Sequence, residues 1–378
     1  IISINGVSIG LSICEDIWSE IFVSKIIKDG AELILNLSAS PFTSSKKETR
    51  EEMLNEYYKK YKCPIIYVNQ IGGQDELVFD GSSLVVGVEN ESFKTLKSFK
   101  TDSLSFEYER SRFILENSEN ANETSKLDDI YDALVLGTRD YVEKNGFNGV
   151  IIGSSGGIDS ALTTVIAHDA LGKEKVKTIM MPFDFTADIS VEDAGALAKN
   201  LGIEHSEISI KEMFESFSKG LSKSFKGLKT DKTEENLQSR CRGVTLMALS
   251  NKLGYLVLTT GNKSEAAVGY STLYGDTAGG FSVLKDVSKT LVYELSSYRN
   301  AISNVIPQRI IDRPPSAELA PDQKDTDSLP DYDRLDPIIE MYVEEDKSIQ
   351  EIINEGFDEF EVRRIVSLID FNEYKRRQ

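Results

Sequence analysis

The distribution of hydrophobic and polar residues divides residues 1 to 90 into alternating strands and helices. The Asn5-Gly6 pair separates two apolar runs and predicts a hairpin whose second strand covers 7–13. A second hairpin is predicted around Asp80-Gly81, between strands at 76–79 and 82–88. The other predicted elements of this region are a helix at 19–28, a strand at 33–37, a helix at 46–61 and a strand at 65–68. This order predicts an α/β domain.

A second strand and helix pattern begins near Leu127, after a polar segment at 116–125 that is typical of an exposed linker. Helices alternate with predicted strands at 149–152, 176–181, 205–210 and 255–259. The strands contain continuous apolar runs, which favour a parallel sheet covered by helices on both faces. Ligands bind such sheets at the carboxyl ends of the strands. We therefore predict two domains, at 1–112 and 113–378.

Composition and charge narrow the function classes. The chain has 378 residues and a net charge of −19, which disfavours nucleic acid and anionic membranes as partners. No apolar run is long enough to span a bilayer. Three scattered cysteines indicate a reducing compartment, and we expect a cytoplasmic protein. Because the sequence opens inside a strand pattern without an initiator Met, we expect that its true N-terminus lies upstream.

The most informative segment lies between a buried strand and a helix that is predicted to begin near Ala161. Glycines allow the backbone to approach a ligand closely, while free amides and hydroxyls can donate to an anion. The segment therefore predicts a phosphate-binding loop. Alternatively, it is a plain turn in which Asp159 or Ser160 caps the helix. The loop residues are Gly153, Ser154, Ser155, Gly156, Gly157, Ile158, Asp159 and Ser160.

The loop sequence resembles that of the ATP pyrophosphatase superfamily, whose members cleave ATP between its α and β phosphates. Three further segments, 235–240, 258–265 and 269–280, resemble the NAD synthetases. The loop at 321–330 and the C-terminal 372–377 resemble the glutamine-dependent branch of that family. The implied fold is a parallel doubly wound sheet of the adenine-nucleotide alpha hydrolase type. It would follow the C-terminal part of a nitrilase-like α/β sandwich.

The resemblance to NAD synthetases implies residue roles in the second domain. ATP would contact the loop together with Thr260, Lys289 and Ser316, and Asp159 and Glu265 would bind Mg²⁺. The deamidated dinucleotide, deamido-NAD, would contact the residues Arg240, Tyr374 and Lys375. Asp159 and Lys375 are therefore predicted to be catalytic.

Not every position follows the pattern of the family. Leu273 and Gly280 stand where ammonia-dependent relatives usually have Lys and Asp contacts to the dinucleotide, and Val283 stands where Pro is usual. We assign no dinucleotide contact to these positions. A lone Glu265 or Lys375 would ordinarily be a solvated surface charge, and the surrounding motif favours the functional interpretation.

In the first domain, Cys14 and its neighbours resemble the nucleophile site of nitrilase-like amidases. Segments 36–41 and 67–81 resemble the glutaminase domain that feeds ammonia to NAD synthetase, and Ser40 and Asn69 would lie near the glutamine. A lone cysteine is more often a buried small hydrophobe. The family also uses a Glu base and a Lys from segments upstream of the nucleophile. Those segments are absent here, so we expect poor glutamine hydrolysis by this chain alone.

The resemblance implies a two-step ligase. The carboxylate of deamido-NAD attacks ATP and releases pyrophosphate, and ammonia derived from glutamine then displaces AMP to give NAD. Relatives assemble as oligomers, so a homo-oligomer is expected. One alternative is another ATP pyrophosphatase, such as a synthetase for GMP or a transfer RNA base. The other is an inactive nucleotide-binding module, which the intact Asp159 and Glu265 disfavour.

Overall fold

The computed structural model describes residues 1–89, 93–109, 111–115, 124–320, 325 and 329–376. The chain divides into two compact units, Ile1–Tyr141 and Val142–Gln378, and the predicted domain boundary after residue 112 stays a prediction. Residues 116–123 of the predicted linker, most of the loop at 321–330, and residue 377 lie outside the described residues. Within the described ranges, no helix is long and apolar enough to cross a membrane.

The first unit is built on a six-stranded mixed sheet in the order β1-β2-β3-β4-β7-β8. Besides this sheet, the unit has two two-stranded sheets, one formed by β5 and β6 and the other by β9 and β10. The strands of the unit are β1 (Ile2–Ile4), β2 (Val7–Ile13), β3 (Leu33–Ser38), β4 (Ile65–Asn69), β5 (Ile71–Gln74), β6 (Leu77–Asp80), β7 (Leu84–Val86), β8 (Phe93–Thr95), β9 (Phe106–Glu109) and β10 (Arg112–Leu115). Its helices are α1 (Glu20–Lys28), α2 (Lys46–Tyr61) and α3 (Lys126–Lys144), and a 3₁₀ turn covers Cys14–Trp18. The central strands β2, β3 and β4 are parallel neighbours, so their carboxyl ends share one edge.

The hairpin predicted around Asn5-Gly6 is confirmed, since β1 and β2 are antiparallel and both turn residues have positive φ. The hairpin predicted around Asp80-Gly81 is wrong. Strand β6 instead pairs with β5 through a turn at Asp75, where φ is +52°. Strand β7 pairs with β4 and β8. Both Asp75 and Asp80-Gly81 have residues typical of a turn, and the pairing of β6 with β5 places the hairpin turn at Asp75.

The two faces of this sheet are covered to different extents. One face packs against α1 and α2 through a core that includes Ile34, Leu54 and Tyr67. The other face is covered in part by the β9–β10 hairpin, whose Phe113 is buried. Toward the carboxyl edge of that face, Ile13, Leu37 and Val68 remain 68%, 59% and 46% exposed.

The second unit contains a five-stranded parallel sheet in the order β13-β12-β11-β14-β15. Its strands are β11 (Val150–Gly153), β12 (Val176–Met180), β13 (Glu204–Glu207), β14 (Leu256–Thr259) and β15 (Phe281–Ser282). The first four were predicted from the sequence, and the two-residue β15 was not. Because β11 lies between β12 and β14, the direction of winding reverses there. This position opens a crevice at the carboxyl ends of the strands.

Helices surround this sheet and complete the second unit. They are α4 (Ile158–Leu171), α5 (Asp188–Leu201), α6 (Lys211–Leu221), α7 (Lys232–Leu253), α8 (Lys263–Val268), α9 (Lys289–Ile302), α10 (Gln308–Asp312), α11 (Tyr332–Ile339), α12 (Ile349–Asn354), α13 (Glu359–Phe371) and α14 (Glu373–Arg376), with a 3₁₀ turn at Lys173–Lys175 and a π-helical turn at Glu340–Glu344. The last helices form their own core with α8, centred on Leu335, Ile352 and Ile365. This core holds α8 beside the sheet edge.

Candidate active site

A cavity of about 710 Å³ opens at the carboxyl ends of β11, β12 and β14. This volume suits a small-molecule ligand of nucleotide size. All eight residues of the predicted phosphate loop line it. The other predicted site residues that line it are Thr260, Glu265, Lys289, Ser316 and Lys375. The cavity lining does not include Arg240 or Tyr374, which remain predicted dinucleotide contacts.

The loop has the conformation that close contact with an anion requires. Gly156 has φ +75°, and a Cβ at this position would lie 2.3 Å from the carbonyl oxygen of Ser190. Helix α4 begins at Ile158, so the predicted start near Ala161 is three residues late, and Asp159 and Ser160 lie in its first turn. Its N-cap is Gly157, which has no side-chain hydrogen bond, so neither Asp159 nor Ser160 caps the helix. The helix N-terminus therefore faces the cavity with free amides.

Hydroxyl groups complete the lining of the loop. The Ser160 hydroxyl donates to the carbonyl oxygen of Gly157 at 3.0 Å and accepts from the amide of Ser155 at 3.2 Å. The Ser154 Oγ atom is buried and has no hydrogen-bond partner within the described structure. A buried hydroxyl without a partner is costly. A bound phosphate oxygen would satisfy it.

Two carboxylates and one ammonium meet at the base of the cavity, although they are far apart in sequence. Nζ of Lys289 lies 2.5 Å from Oδ2 of Asp159 and 3.4 Å from Oε1 of Glu265. The Lys289 side chain is only 1% exposed. Asp159 comes from α4, Glu265 from α8, and Lys289 from the first turn of α9. Folding thus brings these three side chains into contact, while their roles stay predictions.

Burial changes the proton affinities of this cluster. It raises the pKa of Glu265 to about 8, reinforced by the charge of Asp159 and opposed by Lys289. Burial lowers the pKa of the Lys289 ammonium, but attraction to Asp159 and Glu265 outweighs it, so this pKa is raised overall. Lys289 is therefore a firmly protonated cation held between two acidic side chains.

Sequence reasoning missed Asn262, which joins the two carboxylates. Its amide nitrogen donates to Oδ1 of Asp159 at 2.8 Å, while its oxygen accepts from the amide of Glu265. The Glu265 carboxylate in turn accepts from the backbone of Asn262. This reciprocal pair is a capping box at the start of α8. The spacing Asn-x-x-Glu in the sequence was the signal that could have identified it.

A third buried carboxylate, Asp325, was also missed. It accepts hydrogen bonds from the hydroxyls of Tyr270, at 3.3 Å, and Tyr332, at 2.9 Å. Burial raises its pKa, and the charge of Lys289 opposes that rise. The ring of Tyr332 lies 5.4 Å from the Lys289 ammonium. Asp325 and the two tyrosines thus lie around the same cation, although the resemblance assigned no role to any of them.

Other predicted residues occupy separate parts of the site. Ser316 accepts from the amide of Glu318 at 3.2 Å. The ammonium of Lys375 donates to the carbonyl oxygens of Gly269 and Ser271 at 2.6 and 2.7 Å, which fixes the C-terminal helix at the cavity. Burial lowers the pKa of Lys375, and the charge of Asp276 opposes that change.

Arg240 and Tyr374 lie at the surface. The guanidinium of Arg240 donates to the carbonyl oxygen of Leu273 at 3.2 Å. Tyr374 is 52% exposed. At Gly280, a position that departs from the family pattern, an added Cβ would lie 2.3 Å from Cδ1 of Leu256, a buried residue of β14. A side chain there would require this part of the core to shift.

The donors at the base of the cavity suit a hard divalent cation. Asp159 and Glu265 both reach one cation, the Lys289 ammonium, and carboxylate oxygens are the ligands that Mg²⁺ prefers. Across the described residues, no cluster of three or more His, Cys, Asp or Glu residues forms a self-contained metal site. The two carboxylates would therefore suit a magnesium ion that took its remaining ligands from substrate oxygens and water.

The first unit has a different constellation at its own carboxyl edge. Cys14 begins the 3₁₀ turn that follows β2, with φ +47°, a conformation uncommon for residues other than glycine. Its carbonyl oxygen accepts a hydrogen bond from Nδ2 of Asn36, a fully buried side chain that also donates to the Ser12 hydroxyl. The thiol is a free, partly exposed cysteine. Such a turn presents the side chain away from the backbone at the end of the strand.

The structure brings Ser40 and Asn69 into contact with each other, and their position near the glutamine stays a prediction. The amide of Ser40 donates to Oδ1 of Asn69 at 2.8 Å, and Nδ2 of Asn69 donates to the carbonyl oxygen of Ser40 at 3.3 Å. Nδ2 also lies 3.4 Å from Oδ1 of Asp80, whose carboxylate forms a buried two-point ion pair with Arg50. The sequence did not predict this ion pair.

Comparisons with known proteins agree with both units. The NAD synthase family model matches residues 130–378, and the carbon-nitrogen hydrolase model matches 1–106. Glutamine-dependent NAD(+) synthetases from Acinetobacter baylyi and Thermotoga maritima are 50% and 43% identical to this chain, over 99% and 100% of it and 69% and 72% of their own lengths.

A solved structure of the glutamine-dependent NAD+ synthetase from Acinetobacter baumannii, in complex with adenosine diphosphate, is 46% identical to this chain. It superposes with a TM-score of 0.79, over 100% of this chain and 69% of its own. The predicted fold class, a doubly wound parallel sheet after part of a nitrilase-like domain, is confirmed. The chain therefore belongs to the glutamine-dependent NAD(+) synthetase family.

Proposed function

We propose that the cavity of the second unit carries out both steps of the family's reaction, the ATP-dependent amidation of deamido-NAD to NAD. The observation that carries this assignment is the cluster of Asp159, Glu265 and Lys289 beside a glycine loop at a helix N-terminus. This arrangement suits the transfer of a nucleotide group from ATP, because it places cationic and donor groups where phosphate charge develops. It lacks the Lys-Ser/Thr end of an ordinary P-loop.

In the first step, a carboxylate oxygen of deamido-NAD forms a bond to the α phosphorus of ATP. The bond from that phosphorus to the oxygen bridging to the β phosphate breaks, and its electron pair leaves with pyrophosphate. Loop amides, the Ser154 hydroxyl and Lys289 donate to phosphate oxygens, and Thr260 and Ser316 contact the nucleotide. Asp159 and Glu265 would hold Mg²⁺, which supplies Lewis-acid stabilisation of the phosphate charge.

In the second step, ammonia attacks the acyl carbon of the adenylate, AMP leaves with the bonding electrons, and the nitrogen loses a proton. Lys375 and Tyr374, from the last helix, would close over the nucleotide, and Arg240 would bind the dinucleotide. Water must be excluded, because it would hydrolyse the adenylate. We propose that Cys14, with Ser40 and Asn69 at the same strand edge, belongs to the glutaminase centre that supplies ammonia. We further propose that the protein works as a homo-oligomer in the cytoplasm.

The charge of Asp159 provides a direct test. Asp159→Asn should lower pyrophosphate release from Mg-ATP and deamido-NAD by roughly 100- to 1,000-fold, the usual loss when one electrostatic group of an active site is removed. A matched control is Glu212→Gln on α6, an exposed carboxylate outside the cavity, which should keep the wild-type rate. Wild-type release from a folded Asp159→Asn protein would refute the assignment of the site.

A further inference from the structure

Helix α7 presents one side to the nucleotide cavity. Its residues Ser239, Arg242, Gly243 and Leu246 line the cavity, and their spacing of three, four and seven places them on one helical face. Gly243 lets the helix approach closely, since a Cβ there would lie 2.8 Å from the carbonyl oxygen of Tyr274. The helix position, and with it the position of Arg242, is therefore tightly fixed.

The Arg242 guanidinium is held by only one of its edges. Nε donates to the carbonyl oxygen of Met181 at 3.1 Å, at the carboxyl end of β12. Within the described structure, no carboxylate forms an ion pair with its terminal nitrogens. By contrast, Lys289 is bound by two carboxylates, and Arg313 by Glu318. Arg242 therefore has terminal N–H donors that are free for an anion.

The surroundings of Arg242 support a bound anion. Burial lowers the pKa of its guanidinium, and electrostatic interactions with Cys241, Glu318 and Asp276 oppose this change. The carboxylate of Glu318 is already engaged by Arg313, Ser190 and the backbone amide of Ala187. A partly buried cation without an ion-pair partner among the described residues is unfavourable, and a ligand phosphate would relieve the cost.

The location of Arg242 indicates which phosphate of ATP it contacts. Met181 follows β12, and its side chain lies by Gly153 at the start of the phosphate loop, whereas the Asp159, Glu265 and Lys289 cluster spans the loop and α8 beyond β14. Arg242 thus contacts the end of β12, whereas the Lys289 ammonium contacts side chains that follow β11 and β14. A triphosphate that extends across the loop would place its β and γ phosphates at the cluster. Its α phosphate would then lie on the Arg242 side.

We propose that Arg242 binds the α phosphate of ATP and retains it through the adenylate until AMP leaves. This proposal rests on the proposed function and assigns a further catalytic residue to it. As the carboxylate oxygen bonds to the α phosphorus and pyrophosphate departs, the guanidinium fork offsets charge on the non-bridging oxygens. It acts on the group that stays, whereas Lys289 acts on the group that leaves.

Binding of AMP and of inorganic pyrophosphate separates these two roles. Arg242→Met should weaken AMP binding by roughly 10- to 100-fold, the cost of losing a charge-assisted hydrogen bond. Arg242→Lys, which keeps the charge without the fork, should give a smaller loss. Pyrophosphate should bind both variants as it binds wild type. Lys252→Met, an exposed change on the same helix, is the control and should leave both affinities unaltered.

Titration calorimetry on the full chain, with unfolding temperature measured in parallel, decides the outcome. Unchanged AMP binding, or equal loss of AMP and pyrophosphate binding, would overturn the proposal. If Arg242→Met does not fold, a loss of AMP binding without loss of pyrophosphate binding in Arg242→Lys is the supporting result. Formation of NAD from deamido-NAD, ATP and ammonium by the wild-type protein is measured separately. A failed synthetase assignment is thereby distinguished from a failed role for Arg242.

Discussion

The carboxyl edges of the two sheets differ in how fully their chemistry is assembled. In the second unit, three acidic side chains, Asp159, Glu265 and Asp325, surround the Lys289 ammonium. In the first unit, no hydrogen bond or ion pair from the described residues reaches the Cys14 thiol, and the side-chain amide of Asn36 donates to the Cys14 carbonyl oxygen instead. A nucleophilic thiol needs a base and an oxyanion donor. The described structure thus supports phosphoryl chemistry more completely than amide hydrolysis.

The two units also differ in how deeply the residues of their sheets are buried. The central strand β11 of the second unit is buried on both faces, as Val150, Ile151 and Ile152 show with 0% exposure each. In the first unit, Ile13 and Leu37 remain mostly exposed on one face. Close packing holds active-site groups in place. The comparison predicts that ammonium-dependent synthesis depends on the second unit and tolerates damage to the first.

The largest expected effect tests that independence. Arg50→Met leaves the buried Asp80 carboxylate unpaired and should destabilise the first unit by about 3–5 kcal/mol. Ammonium-dependent NAD formation should keep its wild-type rate at a temperature where the first unit of this variant has unfolded and the second unit remains folded. Lys211→Met, which breaks an exposed ion pair with Asp184 in the second unit, is the comparison and should cost about 1 kcal/mol or less. A parallel loss of ammonium activity in Arg50→Met would end the claim of independence.

The second prediction uses the pH dependence of stability. Burial raises the pKa of Asp276 from 3.8 to about 6 in the folded protein, against the hydrogen bond from Thr272. Because the unfolded chain loses this proton first, wild-type stability should fall as pH rises from about 4 to about 6. Asp276→Asn should remove that fall and gain about 3 kcal/mol at most at pH 7, with no gain at pH 4. Denaturant unfolding at several pH values measures it, and a gain at pH 4 equal to that at pH 7 would contradict it.

The smallest expected effect concerns the loop backbone. Gly156→Ala places a side chain at φ +75° and against the Ser190 carbonyl, and it should cost about 1–3 kcal/mol and weaken ATP binding. Gly195→Ala, in the middle of α5 with open space around the new Cβ, is the matched control and should stabilise by about 0.5–1 kcal/mol. Thermal unfolding separates the two. Equal effects at both glycines would mean that the loop geometry is not constrained.

Local patterns predicted the regular elements and the phosphate loop, because hydrophobic period and glycine spacing act over a few residues. They failed for the hairpin at Asp80, because β6 pairs with β5 and β7 pairs with β4, so the two predicted strands do not pair with each other. Resemblance to a family predicted a shared magnesium-binding role for Asp159 and Glu265, although 106 positions separate them in the sequence. Arg242 lies outside the recognised segments, and the resemblance gave Asp325 no role within the 321–330 loop. Only tertiary packing shows that both residues line the cavity.

The central claim is that this chain is a working NAD synthetase whose second unit performs the chemistry. The most direct test measures NAD and pyrophosphate formed from deamido-NAD and Mg-ATP, with ammonium or glutamine as the nitrogen source. We expect NAD and pyrophosphate in equal amounts with ammonium, and little of either with glutamine. Folded protein that forms no NAD from ammonium would contradict the claim. Equal rates with both nitrogen sources, abolished for glutamine by Cys14→Ala, would show that the first unit is also competent.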